Sequence, residues 1–231
     1  MTAPSAEPEN VVWFKQASMP TKHIQLGDNM SFIYSVATTM ANPDHFAEAG
    51  AGWAGERLRS LGAMSVMANQ VVMGGEMAGQ VLVAFETDSA DAAMALNAAI
   101  YADGDLLKLL ADTGTQVERR TLMRRQAEFG SRDASHGTIL YLAGPPQSDE
   151  NTESNMALSW GHLEAGAAGM AAMQVIAGGP SPFSGVVVTW ADSMDALLAA
   201  SAANFADPAV QERMAATNTT VLGRMMTRRL F

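Results

Sequence analysis

Cysteine is missing from this 231-residue chain, which excludes disulfides, thiolate zinc sites and cysteine nucleophiles. Basic side chains are scarce: 14 Lys and Arg against 24 Asp and Glu leave a formal charge of −10. Nucleic-acid affinity comes largely from neutralising phosphates, so nucleic acid is not an expected partner, and an acidic surface also repels anionic membranes. No apolar run approaches the roughly 18 residues of a membrane span. The opening segment MTAPSAEPENVVWF has neither a basic start nor an apolar signal core, so a cytoplasmic protein is expected. Histidine is sparse as well. His23, His45, His136 and His162 fall on separate segments without H-x-x-x-H or H-E-x-x-H spacing, so no multi-histidine metal site is encoded locally. Neither a phosphate-binding G-x-x-x-x-G-K-[ST] nor a G-x-S-x-G elbow is present. Nucleotide-dependent and serine-hydrolase chemistries lose their usual markers.

What the chain has is apolar mass and repetition. Its composition is 48% apolar, enough for a sizeable core, and its 17 methionines fall within apolar stripes, where they read as flexible core filling rather than copper ligands. NQVVMGG at 69–75 returns as MQVIAGG at 173–179, a spacing of 104 residues. GQVLVAF at 79–85 answers SGVVVTW at 184–190, and Tyr101-Ala102-Asp103 answers Phe205-Ala206-Asp207. Ile33-Tyr34 matches Leu140-Tyr141, and RRTLMRRQ at 119–126 lies opposite GRMMTRRL at 223–230. Anchors in unbroken order indicate an internal duplication, which settles the architecture before any single element does.

Each copy reads as strand, helix, strand, strand, helix, strand. In the first, SFIYSVA at 31–37 is a strand, and Asn42-Pro43 caps a helix that carries Phe46, Gly50, Trp53, Ala54, Leu58 and Leu61 on one face and stops at Gly62. Strands follow at 64–73 and 80–86 around Gly74-Gly75. A second helix opens at Asp88-Ser89, breaks near Asp103-Gly104 and leads to a strand at 116–126. In the second copy, the first helix is expected to carry Met156, Trp160, Leu163, Ala167 and Met170, and the second to start at Ser193 and restart at Pro208. The expected divisions are an N-terminal tail and arm at 1–29, a first repeat at 30–127, a polar linker at 128–136 and a second repeat at 137–231. VVWF at 11–14 and HIQL at 23–26 are candidate docking arms.

The fold class expected is α+β: two tandem ferredoxin-like βαββαβ repeats packed sheet to sheet as an α/β barrel with helices outside. In length, element order and duplication the chain resembles the dimeric α/β-barrel superfamily in its fused, tandem form. That resemblance implies a small-molecule enzyme, a cofactor-independent monooxygenase or isomerase acting on an aromatic or lactone-like compound, with no cofactor or metal. Haem-binding members of the superfamily also duplicate this fold, which makes haem binding an alternative. A non-catalytic ligand-binding or assembly protein, with homo-oligomers forming through sheet edges, is another.

The candidate catalytic residues are His162, Tyr34, Tyr141, Arg120 and Arg224. Tyr34 and Tyr141 are read as equivalent positions on the first strands, able to orient a polar ligand or to satisfy a partner across the interface. The arginines cluster on the last strands. Strand alternation puts Arg120 and Arg124 on one face and Arg119 and Arg125 on the other, where they bind a carboxylate or pair structurally. His162 stands two residues after Trp160, at a pocket edge or on the surface. Candidate substrate-binding residues are Trp53 and Trp160, as aromatic lids or core, with Gln70 and Gln174 on the second strands.

Overall fold

The computed structural model describes residues 31–231. The segments at 11–14 and 23–26, and His23, lie outside the described residues. The first repeat contains β1 (Phe32–Thr39), α1 (Pro43–Ala51), α2 (Trp53–Ser60), β2 (Ser65–Met73), β3 (Val81–Thr87), α3 (Ala90–Ala102), α4 (Gly104–Asp112) and β4 (Gln116–Gly130). The second contains β5 (His136–Ala143), α5 (Asp149–Leu163), β6 (Gly169–Ala177), β7 (Gly185–Ala191), α6 (Met194–Ala206), α7 (Pro208–Ala216) and β8 (Thr220–Arg229).

Side-chain caps start most of these helices. Asn42 accepts from the His45 amide ahead of α1, Ser89 from Ala92 ahead of α3, and Ser193 from Ala196 ahead of α6. Asp103 both ends α3 and caps α4, and Asp207 does the same between α6 and α7, so the break in each second helix is built by one carboxylate. The first helix of the first repeat departs from expectation. It divides at Gly52 into α1 and α2, in the glycine-rich run AGAGWAG, where helix propensity is weakest. In the second repeat α5 ends at Leu163, so Ala167 and Met170 are not helical; Met170 is a fully buried residue of β6. A tight turn there brings Gly166 so close to the Ala196 carbonyl that a Cβ would lie 2.3 Å from it.

The eight strands form one closed antiparallel barrel in the order β1-β3-β2-β8-β5-β7-β6-β4. The two repeats are therefore hydrogen-bonded to one another, β2 to β8 and β4 to β6, rather than only stacked face to face. Closure leaves no free edge in this sheet, so the sheet-edge assembly expected from the sequence has no surface to act through among the described residues. β4 runs on to Gly130, so Glu128 belongs to a strand rather than to the expected linker. Apolar side chains fill three layers: the barrel interior around Ile33, Met123, Met173 and Met225, the space under the helices of the first repeat around Leu58 and Leu96, and its counterpart around Leu163 and Leu197.

The register corrects one sequence match. Phe32 lies opposite Thr87 and His136 opposite Ala191, both separated by the same 104 residues as the other anchors. On that spacing Tyr34 corresponds to Thr138, and Tyr141 to Ala37. The match of Tyr34 with Tyr141 is slipped by three positions, an odd number that moves a side chain to the other face of the strand.

Candidate functional site

Each repeat has a cavity between its sheet and its helices, and the second is the larger because large side chains of the first, Tyr34, Phe85 and Phe231, have small counterparts there in Thr138, Thr189 and Ala127. Following β8, Leu230 and Phe231 extend the pairing with β2: the Ala68 amide donates to the Phe231 carbonyl, and the Leu230 amide to that of Ala68. This places the Phe231 ring under α1, 5.8 Å from Phe46 and so close to Gly50 that a Cβ there would lie 2.0 Å from it. The space left in the first repeat is ≈ 70 Å³. At the same place in the second repeat, opposite Ala172, the chain has Ala127. Without a ring to fill it, the cavity there is ≈ 160 Å³.

Outward-facing residues of β5, β6 and β7, including Thr138, Leu140, Ala172, Gln174 and Val187, form the floor of this larger cavity. α5 contributes Asn155, Met156 and Ser159, α6 contributes Ser201 and Asn204, and α7 contributes Arg213 and Met214. The Oδ1 atoms of Asn155 and Asn204 are buried there with no hydrogen-bond partner among the described residues, and Asn204 is 5% exposed. Leaving such an acceptor unpaired costs about 1–3 kcal/mol, so a ligand that donates to it recovers that energy. Ser201 is itself engaged, its hydroxyl accepting from Arg224 Nη2 at 2.6 Å. The rim is organised by Arg124, which reaches both carboxylate oxygens of Asp149 at 2.6 Å and Gln174 Oε1 at 3.1 Å. This contact and the Gln126 amide hold the Asp149 carboxyl below the usual carboxylate range.

The expected site residues do not converge. Gln174 lines the larger cavity, and Arg224 reaches it through Ser201 and through Phe205, whose ring centre lies 5.7 Å from its guanidinium carbon. Gln70 accepts from Arg228 at 2.8 Å, the same junction that Gln174 makes with Arg124 in the other repeat, so both glutamines brace the seams between repeats. Tyr34 borders the small first-repeat cavity, donating to Asn97 at 2.7 Å, while Arg120 bonds the Tyr101 hydroxyl at 2.5 Å. Tyr141 instead faces the barrel interior beside Arg119. Burial pushes both tyrosine hydroxyls up from the ordinary phenol value, with Arg120 and Arg119 respectively pulling the other way. Trp53 is 47% exposed and borders none of these cavities, so it is not a lid. Trp160 packs on Phe129, with ring centroids 6.2 Å apart, as core. His162 Nε2 lies 3.0 Å from Asp207 Oδ2, and Arg57 makes the matching contact with Asp103 at 2.6 Å. It is therefore a brace between helices, outside the cavities.

Asn155, Asn204 and Ser201 were not among the expected site residues. A signal existed for Asn204: at the repeat spacing its counterpart is Ile100, a polar residue standing where the other copy needs an apolar one.

The barrel interior holds a third cavity, of ≈ 110 Å³, and a buried charge cluster. Glu86 lies between Arg125 at 2.9 Å and Arg132 at 2.6 Å, and the same two arginines contact Glu128. Burial pushes Glu86 upward, but Arg132 and the Ser65 hydroxyl more than offset this and leave it below its ordinary value.

Together these features define the fused, tandem dimeric α/β-barrel fold with its principal cavity under the helices of the second repeat. Solved structures share that fold. An anthrone oxidase-like protein superposes with a TM-score of 0.53 at 14% identity, over 88% of this chain and 94% of its own. A candidate monooxygenase from Lactobacillus acidophilus NCFM gives 0.55 at 13% identity, over 88% and 95%. A haem-binding protein from Thermus thermophilus gives 0.52 at 9% identity, over 87% and 94%. At these identities the likeness is one of fold. No family model and no curated protein sequence matches the chain.

The fold neighbour from Thermus thermophilus binds haem. Among the described residues, no histidine or tyrosine lines the principal cavity. Of the described histidines, His45 is exposed on α1, His136 contacts Ser135 and His162 pairs with Asp207. The described part of the cavity therefore presents no axial imidazole or phenolate to haem iron.

Proposed function

We propose that the cavity under α5, α6 and α7 binds a flat, largely apolar small molecule bearing hydroxyl donors, and that the protein is a monooxygenase-like enzyme of the dimeric α/β-barrel kind acting on it without a cofactor. The observation that carries this reading is the pair of unpartnered acceptors, Asn155 Oδ1 and Asn204 Oδ1, in a mainly apolar enclosure. A phenolic ring system matches both features. The relatives of known fold, one of them anthrone oxidase-like, favour oxygenation of an aromatic compound over isomerisation of a lactone. Gln174 and Ser201 contribute further polar contacts, and Arg224 positions Ser201. Arg213, the one charged residue lining the cavity among the described residues, favours the ionised form of a phenolic substrate, the form that gives an electron to oxygen most readily.

Among the described residues, no carboxylate or imidazole lines the cavity. That observation favours a second reading, a non-catalytic carrier of the same class of ligand, because the substrate's proton has no protein base to take it. Oxygen-electrode assays with anthrone, run beside calorimetric titration with the same compound, separate the two. Oxygen uptake that requires the protein and falls at least about tenfold in Asn204→Leu supports the enzyme. Saturable binding without uptake supports the carrier, and neither binding nor uptake refutes both for this compound class. Asn204→Leu also removes a buried unpaired group, so the variant is expected to be more stable by about 1–2 kcal/mol.

A further inference from the structure

The barrel interior carries a cation that the fold leaves uncompensated. Arg119, Arg125 and Arg132 all line its cavity. Glu86 and Glu128 contact the last two. Arg119 has no carboxylate within ion-pair distance among the described residues. One of its guanidinium nitrogens donates to the Tyr141 hydroxyl at 3.2 Å, and its carbon lies 5.1 Å from the Phe183 ring centre and 5.7 Å from that of Tyr141. Aromatic faces compensate a desolvated cation only in part.

The trio is not a product of the repeat. At the 104-residue spacing, Gly223 stands for Arg119, Ala37 for Tyr141 and Gly79 for Phe183. Three residues with small counterparts in the other copy meet at one place, so packing shared by the copies does not account for them. The polar atom left unpaired elsewhere in the cavity is also a donor: Trp190 Nε1 is buried without an acceptor among the described residues. A cation without a carboxylate partner, beside a buried unpaired donor, calls for an anion. Apolar side chains, Ile33, Met123 and Met173 among them, form much of the cavity wall, with Ser35, Asn69 and Thr121 as neutral polar residues. One guanidinium and one phenol match the single charge and planar shape of a carboxylate, whereas a phosphate dianion requires more donors.

We propose that the barrel interior is a second ligand site, separate from the cavity under the helices, for a small monocarboxylate with an apolar body. The carboxylate accepts from Arg119 and from the Tyr141 hydroxyl, and the body lies against Ile33, Met123 and Met173. Size limits the class: a dry cavity of about 150 Å³ holds benzene, so ≈ 110 Å³ is too small for an aromatic acid and suits a short-chain aliphatic one.

Calorimetric titration of the intact protein with butyrate, and with butyramide as its uncharged isostere, tests this. Saturable binding of butyrate is expected, with butyramide weaker by at least about tenfold, the value of one charge-assisted contact. Arg119→Met is expected to lower butyrate affinity at least tenfold and to leave the melting temperature unchanged or raised, because it removes a part-buried charge that has no carboxylate partner among the described residues. Tyr141→Phe is expected to cost several-fold. Asn204→Leu is expected to leave butyrate binding intact, because that residue lines the other cavity. Equal affinity for butyrate and butyramide in the unmodified protein overturns the proposal, as does no saturation up to about 10 mM butyrate, weaker than a millimolar complex. Retained affinity in Arg119→Met, or its loss in Asn204→Leu, overturns it as well.

Discussion

Replacing Glu86 with glutamine tests how far the barrel depends on its internal charge cluster. Glu86 is 6% exposed, and its two oxygens contact Arg125 at 2.9 Å and Arg132 at 2.6 Å while Ser65 donates to it at 2.9 Å. Glutamine keeps the shape and the Ser65 contact but removes the charge, so two guanidinium groups are left to share Glu128. Removing one partner of a buried pair costs about 3–5 kcal/mol. The arginine side chains are 14% and 25% exposed, and that access to water puts the expected loss near the lower end, about 3 kcal/mol. For a chain of this length each kcal/mol is worth about 2–4 °C, so the melting temperature should fall by roughly 6–12 °C. Urea unfolding followed by circular dichroism measures the loss directly. Asp112→Asn is the control: it breaks the Lys108–Asp112 pair, whose side chains are 72% and 45% exposed, and should cost under about 0.5 kcal/mol. If Glu86→Gln loses less than about 1 kcal/mol, or no more than the control, the cluster is not the brace that its burial implies.

The same residue sets a pH dependence. Because the folded-state pKa of Glu86 lies below its ordinary value, its contribution is present above the usual carboxylate range and is lost as pH falls through that range and below. Burial and Glu86 push Glu128 up to about 7, so its own titration opposes this effect until it is protonated in the unfolded chain as well. Below about pH 4.5, urea midpoints should therefore fall more steeply in the native protein than in Glu86→Gln, and parallel slopes there would contradict this. Phe231→Ala should empty the first-repeat cavity and cost about 2–3 kcal/mol, less than for a fully buried ring because Phe231 is half-buried. A crystal structure of that variant should show a cavity approaching that of the second repeat. His162→Ala should cost no more than about 1 kcal/mol, because its contact with Asp207 is part-exposed on both sides. It should not alter ligand affinity in the principal cavity, and a loss of affinity there would restore His162 as a site residue.

Much of this protein was written locally. The duplication is a repetition of strings, and the strands of each copy follow from short apolar runs bounded by turn residues. The helix starts at Asn42, Ser89 and Ser193, and the breaks at Asp103 and Asp207, are short-range hydrogen bonds between a side chain and amides two or three residues on. The faces of Arg119 and Arg120 also followed from strand alternation alone. Register was different. A match slipped by three residues placed Tyr34 and Tyr141 on one face, whereas barrel pairing puts one beneath the helices and the other inside the barrel. Pairing depends on strands far apart in the chain, and similar apolar strings fit one another at several offsets. The choice of cavity was likewise tertiary. Only closure of the barrel brings Phe231 under α1 beside Tyr34 and Phe85, and leaves Ala127, Thr138 and Thr189 in the equivalent places, so that of two homologous spaces the second remains more open. The meeting of Arg119, Tyr141 and Phe183 is of the same kind, since three chain-distant residues become neighbours only when the two repeats share one sheet.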